Sequence, residues 1–368
     1  CDDSASEDDI KAWKDELAGK GITLKIIGET SEEPILKYKG ASVELDVLIE
    51  AWEATLRPIF PVKEQGIEVT ELKDEWKELP KVDEVGDKYK GVSILPKGVL
   101  KPKVVIPVFP GTNCEEESAE AFIRAGADVD IIIIRNRTEK DISDSRQDML
   151  KAISNAQILF LPGGFSGGDE PDGSGKFINA FLRGEEIAEA INDLLEKRNG
   201  LVGGICNGFQ ALVKLGLLPY GKITDTDHSA PILTNNFIGR HQAKMVHVRI
   251  ATNRSPWLQY ETPGDIQHVV ISHGEGRFAF SEKGVDELFA KGQIASQYVD
   301  LNGNPTMETE FTPNGSIAAI EALISEDGKV FGRMGHSERM IPGTLKNLET
   351  GLGNEKIFKG AVDYFKRG

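Results

Sequence analysis

What the chain has little of narrows its reading first. It has three cysteines in 368 residues, Cys1, Cys114 and Cys206. So few, so widely spaced, they build no disulfide framework, and no pair has the Cys-x-x-Cys spacing of a zinc site. That usage fits a reducing, cytoplasmic setting. No apolar run approaches the ~20 residues needed to span a bilayer. The acidic first residues lack the basic-then-apolar pattern of a secretory leader. Cationic excess is absent too: 43 Lys and Arg face 59 Asp and Glu, a net charge of −16 that argues against nucleic-acid or anionic-membrane partners. The chain opens on Cys1 rather than Met, so it is expected to begin inside a longer polypeptide.

What is present describes an ordinary globular protein, 39% hydrophobic and 28% charged, long enough for one large domain or two unequal ones. Residues 7–60 read as a small α+β piece. Helical spacing covers 8–17, short strands 23–27 and 35–38, and an amphipathic helix 43–56 with Leu45, Leu48, Ile49 and Trp52 on its apolar face. Residues 61–102, rich in Pro, Lys, Glu and Gly, read as a linker or an ordered crossing segment. From 103 onward strands and helices alternate: strands at 104–109, 129–134, 157–161 and 201–205, helices at 115–125 and 177–197, and a helix ending at 149–155. This alternation predicts an α/β fold, a mostly parallel sheet flanked by helices, with ligands at the strands' carboxyl ends. Beyond 240 the pattern is mainly β, at 246–251, 268–272, 294–299, 317–324 and 330–334.

Cys206 stands where an apolar run meets a helical one, in Gly204-Ile-Cys-Asn-Gly208. Hydrolases place a nucleophile in this Gly-x-nucleophile-x-Gly layout, on a sharp strand-to-helix turn. The glycines permit the strained backbone, and the helix start favours negative charge. Packing is the competing reading for any cysteine. A nucleophile also needs a base. Two of the six histidines begin a His-x-Glu triplet, His273-Gly-Glu275 and His336-Ser-Glu338, in which an extended backbone turns both side chains to one face. His336 follows an apolar strand, as Cys206 does, and is preferred to His273 as the base, with Glu338 orienting it. Oxyanion donors are expected at the Asn207 N–H and, from Leu161-Pro-Gly-Gly-Phe-Ser166, the Gly164 N–H. The stretch 167–176 fails as a phosphate loop, because Glu170 and Phe177 replace required residues and its acids repel phosphate. It reads as a loop over the site. Cys114 lacks the glycine frame, precedes three glutamates that oppose a negative sulfur, and reads as a packing or lining residue.

These strings resemble the class I, or triad, glutamine amidotransferases, whose fold is flavodoxin-like. They are most similar to the glutaminase portion of phosphoribosylformylglycinamidine synthases. The resemblance rests on Pro110-Gly-Thr-Asn-Cys114, Leu161-Pro-Gly-Gly-Phe-Ser-Gly-Gly-Asp169, Gly204-Ile-Cys-Asn-Gly-Phe-Gln210, Asn235-Asn-Phe-Ile-Gly-Arg240, His273-Gly-Glu-Gly-Arg-Phe278 and Met334-Gly-His-Ser-Glu-Arg339, in the family's order. It implies Cys206 as nucleophile with His336 and Glu338, and Gly164 and Asn207 as the oxyanion hole. It also implies a glutamine pocket of Gly163, Gly164, Phe165, Gln210, Asn236, Phe237 and His273. Two departures stand out: Gly167 where many members carry Tyr, and Ser337 where Pro is common. More weakly, residues 1–60 resemble the tail of the synthetase portion in the long fused form, leaving 103–368 as the amidotransferase domain. The resemblance implies no metal or cofactor in this chain, ATP and Mg2+ in the upstream synthetase portion, and that portion as the partner. Two rivals are a glutaminase subunit for another acceptor and a non-catalytic binding domain on the same fold.

Overall fold

The computed structural model describes residues 6–55, 58, 71–79, 101–168, 173–341 and 356–366. The rest of the expected 61–102 linker, and positions 169–172 of the expected loop over the site, lie outside these residues. The chain divides into two compact units, Cys1–Phe60 and Pro61–Gly368.

In the smaller unit α1 (Glu7–Gly19) starts from a reciprocal capping box between Ser6 and Asp9. Strands β1 (Ile35–Tyr38) and β2 (Ala41–Glu44) form an antiparallel hairpin, followed by α2 (Leu45–Glu53). The hairpin turn is Lys39-Gly40, both at positive φ (48° and 84°), the two-residue geometry that matches strand twist. This pairing claims residues 43 and 44 for β2, so the helix begins at Leu45 rather than at 43. Residues 23–27, expected as a strand, have no regular structure: neither strand of the hairpin pairs with them.

The larger unit runs through α3 (Asp74–Lys77), β3 (Lys103–Val108), α4 (Glu115–Ala125), β4 (Asp128–Ile133), α5 (Glu139–Asn155), β5 (Ile158–Leu161), α6 (Lys176–Leu182), α7 (Glu185–Glu196), β6 (Leu201–Ile205), α8 (Asn207–Lys214) and the short α9 (Leu217–Tyr220). It continues with β7 (Ile232–Thr234), β8 (Gln242–Ile250), β9 (Ile266–His273), β10 (Arg277–Ala279), α10 (Glu282–Ala290), β11 (Ile294–Tyr298), β12 (Ile320–Ile324), β13 (Val330–Arg333) and α11 (Lys356–Tyr364). A mixed nine-stranded sheet in the order β4-β3-β5-β6-β13-β12-β11-β8-β9 forms its centre. The expected helix-flanked α/β sheet is present. The half from β4 to β13 is parallel and the remainder antiparallel. Strands β5 and β6 are buried at every position, as parallel strands covered on both faces require.

The single helix expected over 177–197 is two. Gly184 leaves helical geometry (φ −54°, ψ 128°) and becomes the N-cap of α7. The Arg183 guanidinium turns away to the carbonyls of Lys214 and Thr224. Residues 317–319, expected as strand, form a 3-10 turn with Ala318 and Ala319 at φ 54°, so β12 starts at Ile320. Behind the sheet, Phe122 meets Phe160 and Phe358 edge-to-face at ring distances of 5.0 and 5.1 Å, and Trp257 stacks on Phe331 at 5.8 Å. Gly203 of β6 makes room for Trp257, because a Cβ there would stand 2.5 Å from the indole ring.

Residues 71–79 belong to this unit through Trp76. Its ring is buried, its Nε1 donates to Asp286 at 2.8 Å, Phe289 stacks on it, and Lys73 Nζ lies 4.4 Å from the ring centre. Trp76→Ala is therefore expected to destabilise the larger unit by about 3–5 kcal/mol, read as a lower denaturant midpoint at unchanged m-value. An unchanged midpoint would show that the segment does not anchor there.

Candidate active site

Cys206 lies between β6 and α8 with φ 51° and ψ −107°. A non-glycine residue in such a sparsely populated region costs on the order of 1–3 kcal/mol and persists only where its surroundings hold it. The holding contacts are the Cys206 N–H to Arg333 O at 2.8 Å and the Gln210 N–H to Cys206 O at 3.0 Å. The flanking glycines are steric necessities. A Cβ on Gly204 would approach the Gly208 carbonyl carbon to 2.7 Å, and one on Gly208 would reach Leu161 O at 2.0 Å. The residue is 5% exposed, and its sulfur lies 3.7 Å from Ser272 O.

His336 arrives from the neighbouring strand. β13 pairs in parallel with β6, Ile205 opposite Arg333, so both strands end at one edge. The His336 N–H donates to Val270 O at 2.8 Å. Its Nδ1 lies 2.6 Å from Glu338 Oε1, with both side chains buried. Its Nε2 is buried and has no hydrogen-bond partner among the described residues. Burial alone would lower the basicity of this imidazole, but Glu338 and then Cys206 outweigh it and raise the pKa well above the usual histidine value. Gly163 marks how closely the groups converge: a Cβ there would lie 2.8 Å from His336 Cε1, 3.1 Å from Cys114 Sγ and 3.4 Å from Cys206 Cβ.

The second His-x-Glu triplet makes no such pair. His273 Nδ1 faces Asn236 Oδ1 at 3.0 Å, while Glu275 turns away and accepts the Ser174 N–H at 2.8 Å. Burial pushes His273 down to about 3, with His336 and His241 adding to the effect, so its ring is neutral at physiological pH.

Gly164, at φ 146°, bridges Thr112. The bridge is made by the Asn113 and Phe165 amides and does not use that of Gly164. Asn207 is the first residue of α8, where the helix itself supplies no acceptor for the N–H. Its side chain accepts from Ser166 N at 3.2 Å and donates to Gln210 Oε1 at 3.0 Å, tying the Gly163–Gly164 loop to the elbow. Of the expected pocket residues, Phe165 is exposed with its ring 6.3 Å from that of His241. Phe237 packs under Gly315. Gln210 and Asn236 act as scaffolding. Gln210 Nε2 donates to Glu275 O at 2.5 Å. Asn236 Oδ1 accepts from His273 and Gly276, and its Nδ2 donates to the carbonyls of His273 and Arg240.

Sequence reading missed Arg339, whose Nη2 lies 2.8 Å from Cys114 Sγ, itself 3.9 Å from His336 Nδ1. Burial disfavours the guanidinium charge, but Cys114 outweighs this and raises it above its usual range. No spacing rule links two residues 225 positions apart. Cys114 Sγ, His336 Nδ1 and the Glu338 carboxylate are close enough to ligate a metal, all within 4.8 Å of one another. The Arg339 guanidinium on that same sulfur, and the Glu338 bond to Nδ1, set this trio against a cation.

The signature of the CobB/CobQ-like glutamine amidotransferase domain matches residues 101–365. The phosphoribosylformylglycinamidine synthase subunit PurQ of Methanococcus maripaludis is 32% identical over 292 residues, 72% of this chain and 98% of that subunit. The PurQ subunit of Treponema denticola is 34% identical over 286 residues, 73% of this chain and 98% of that subunit. Among solved structures, a chain of PurLQS from Thermotoga maritima superposes with a TM-score of 0.52 at 25% identity, covering 72% of this chain and 99% of that one.

The elbow geometry generates a steric test. Gly208→Ala is expected to destabilise the protein by about 1–3 kcal/mol through overpacking against Leu161, seen as a lower thermal midpoint. A midpoint equal to that of the parent would contradict the close approach of Gly208 to Leu161.

Proposed function

As a member of the CobB/CobQ-like glutamine amidotransferase family, of the PurQ kind, this chain is a glutamine amidotransferase, and we propose that Cys206, His336 and Glu338 form its glutaminase triad. One observation carries the reading: a strained cysteine elbow and a buried, carboxylate-paired histidine end adjacent parallel strands. Glutamine lies with its side-chain amide carbon over Cys206. The thiolate adds to that carbon, and the N–H groups of Gly164 and Asn207 hold the resulting oxyanion. The intermediate collapses with loss of ammonia, which takes a proton from His336. His336 then accepts a proton from the water that hydrolyses the γ-glutamyl thioester, releasing glutamate and restoring the sulfur. Glu338 stabilises the imidazolium throughout. His273 and Asn236 shape the pocket wall and transfer no proton.

The ammonia serves formylglycinamidine ribonucleotide synthesis. In the proposed arrangement a synthetase portion, joined upstream of this chain, uses ATP and Mg2+ to convert formylglycinamide ribonucleotide with that ammonia in the cytoplasm. Residues 1–60 would be its tail, and 103–368 the amidotransferase domain. Among the described residues no helix is long and apolar enough to cross a membrane.

Glutaminase assays and labelling with a glutamine-like electrophile test the triad. Cys206→Ser should abolish both, and His336→Ala should lower kcat by about 10²–10⁴-fold. His273→Ala should leave the proton-transfer step intact. Equal labelling of Cys114, or turnover stopped only by His273→Ala, would sink the assignment. The pH profile tests the electrostatics. A raised His336 pKa means that the proton-donating form is present below that pKa and lost as pH rises through it. Glu338→Gln removes the main raising cause, so the alkaline limb should move to lower pH. A limb that stays in place would exclude the pairing as its origin.

A further inference from the structure

We infer that the buried Arg333–Glu321 ion pair is a positioning device for His336, holding that residue's two chain neighbours in place. The inference rests on the triad reading. Arg333 ends β13 and Glu321 lies on β12, and both side chains are almost wholly buried. They meet bidentately, Nε to Oε1 at 3.1 Å and Nη2 to Oε2 at 3.0 Å. Such a pair is weak evidence for stability, because taking two charges out of water offsets most of their attraction. Where its remaining bonds go is more telling. Glu321 Oε1 also accepts the Gly335 N–H at 2.8 Å, and Arg333 Nη1 donates to Ser337 Oγ at 2.8 Å. These are the residues immediately before and after His336. Two further groups complete the pair: Ser296 Oγ donates to Glu321 Oε2, and Gln267 Oε1 accepts from Arg333 at 3.3 Å.

Gly335 has no room for a side chain. A Cβ on Gly335 would strike Val269 at 2.7 Å and crowd Glu321 Oε1 at 3.0 Å, so the backbone lies directly on the carboxylate. Ser337 stands where proline is common in the family, and its hydroxyl supplies the acceptor that Arg333 uses. The turn carrying His336 is thus fixed by hydrogen bonds from a charged pair anchored in two sheet strands. The Cys206 N–H bonds the carbonyl of the same Arg333. The main chain at Arg333 therefore holds the elbow while its side chain holds the histidine turn. Removing the side-chain grip should misplace the imidazole relative to the sulfur without touching substrate, and such misplacements lower turnover rather than binding.

The test compares the full chain with Arg333→Met/Glu321→Met, Ser337→Ala and His336→Ala, by thermal midpoint and by glutaminase kcat and KM. Apolar replacement of both partners keeps a buried site packed and leaves no unpaired charge. It also strips the buried Gly335 N–H and Gln267 Oε1 of their partners, so the midpoint is expected to fall while KM stays at the parent's value and kcat per folded molecule falls about 10- to 100-fold. Ser337→Ala is expected to lose several-fold in kcat at unchanged midpoint. Parent-like kcat in a folded double variant overturns the inference, as does a loss that only follows the folded fraction. If the double variant does not fold, parent-like kcat in Ser337→Ala overturns it. Turnover surviving in His336→Ala would instead overturn the triad reading itself, which separates the two failures.

Discussion

The parallel pairing of β6 with β13 is the constraint on which the site depends. It puts the ends of two strands, more than a hundred residues apart in the chain, at one edge of the sheet. One strand stops at Cys206 and the other leads to His336. The N–H of Cys206 completes the ladder by bonding Arg333 O, so the strained elbow is itself part of the sheet. Strain of this kind survives only where rigid neighbours oppose its release. Here they are β5 on one side of β6, β13 on the other, and α8 crossing above with only glycine between backbones.

Around that edge, burial lowers the basicity of two histidines, and their partners decide the outcome. His273 and His336 are both almost wholly buried, and each heads a His-x-Glu triplet. His273 meets a neutral amide and becomes a neutral ring. His336 has a carboxylate at Nδ1, and Glu338 with Cys206 raises its pKa well above the usual histidine value. The difference lies in where each glutamate goes. Glu338 stays beside its histidine within a single turn, whereas Glu275 is drawn off to the Ser174 amide. A low-dielectric site magnifies that choice, because an unpaired buried charge is far costlier than a paired one.

Charged groups inside the sheet extend the same logic. Arg333 sits in a strand whose every residue is buried, with Glu321 on the next strand as counter-ion. Arg339 lies against Cys114, whose sulfur is 3.9 Å from His336 Nδ1. Two guanidinium groups thus lie close to the histidine turn, each tied to its own acceptor. Gln210 fastens the elbow to the 273–276 turn, and Asn236 fastens that turn to the Arg240 segment. Much of what surrounds the proposed glutamine pocket is structure that holds its walls still.

The alternation of apolar runs with helical periodicity was enough to read the α/β sheet, and Gly204-Ile-Cys-Asn-Gly208 was enough to read the elbow. Both are local: strand burial and a tight turn impose their residue types on adjacent positions. Boundaries failed where tertiary contacts took over. Gly184 breaks a helix whose periodicity runs on, and residues 43–44 join a hairpin rather than the following helix. Which histidine has a carboxylate partner could be ranked but not decided from spacing, since both triplets share one pattern. The Arg333–Glu321 pair and the Arg339–Cys114 contact were not legible at all. A buried charge is recognised by what faces it, and only the folded sheet brings those partners within bonding distance.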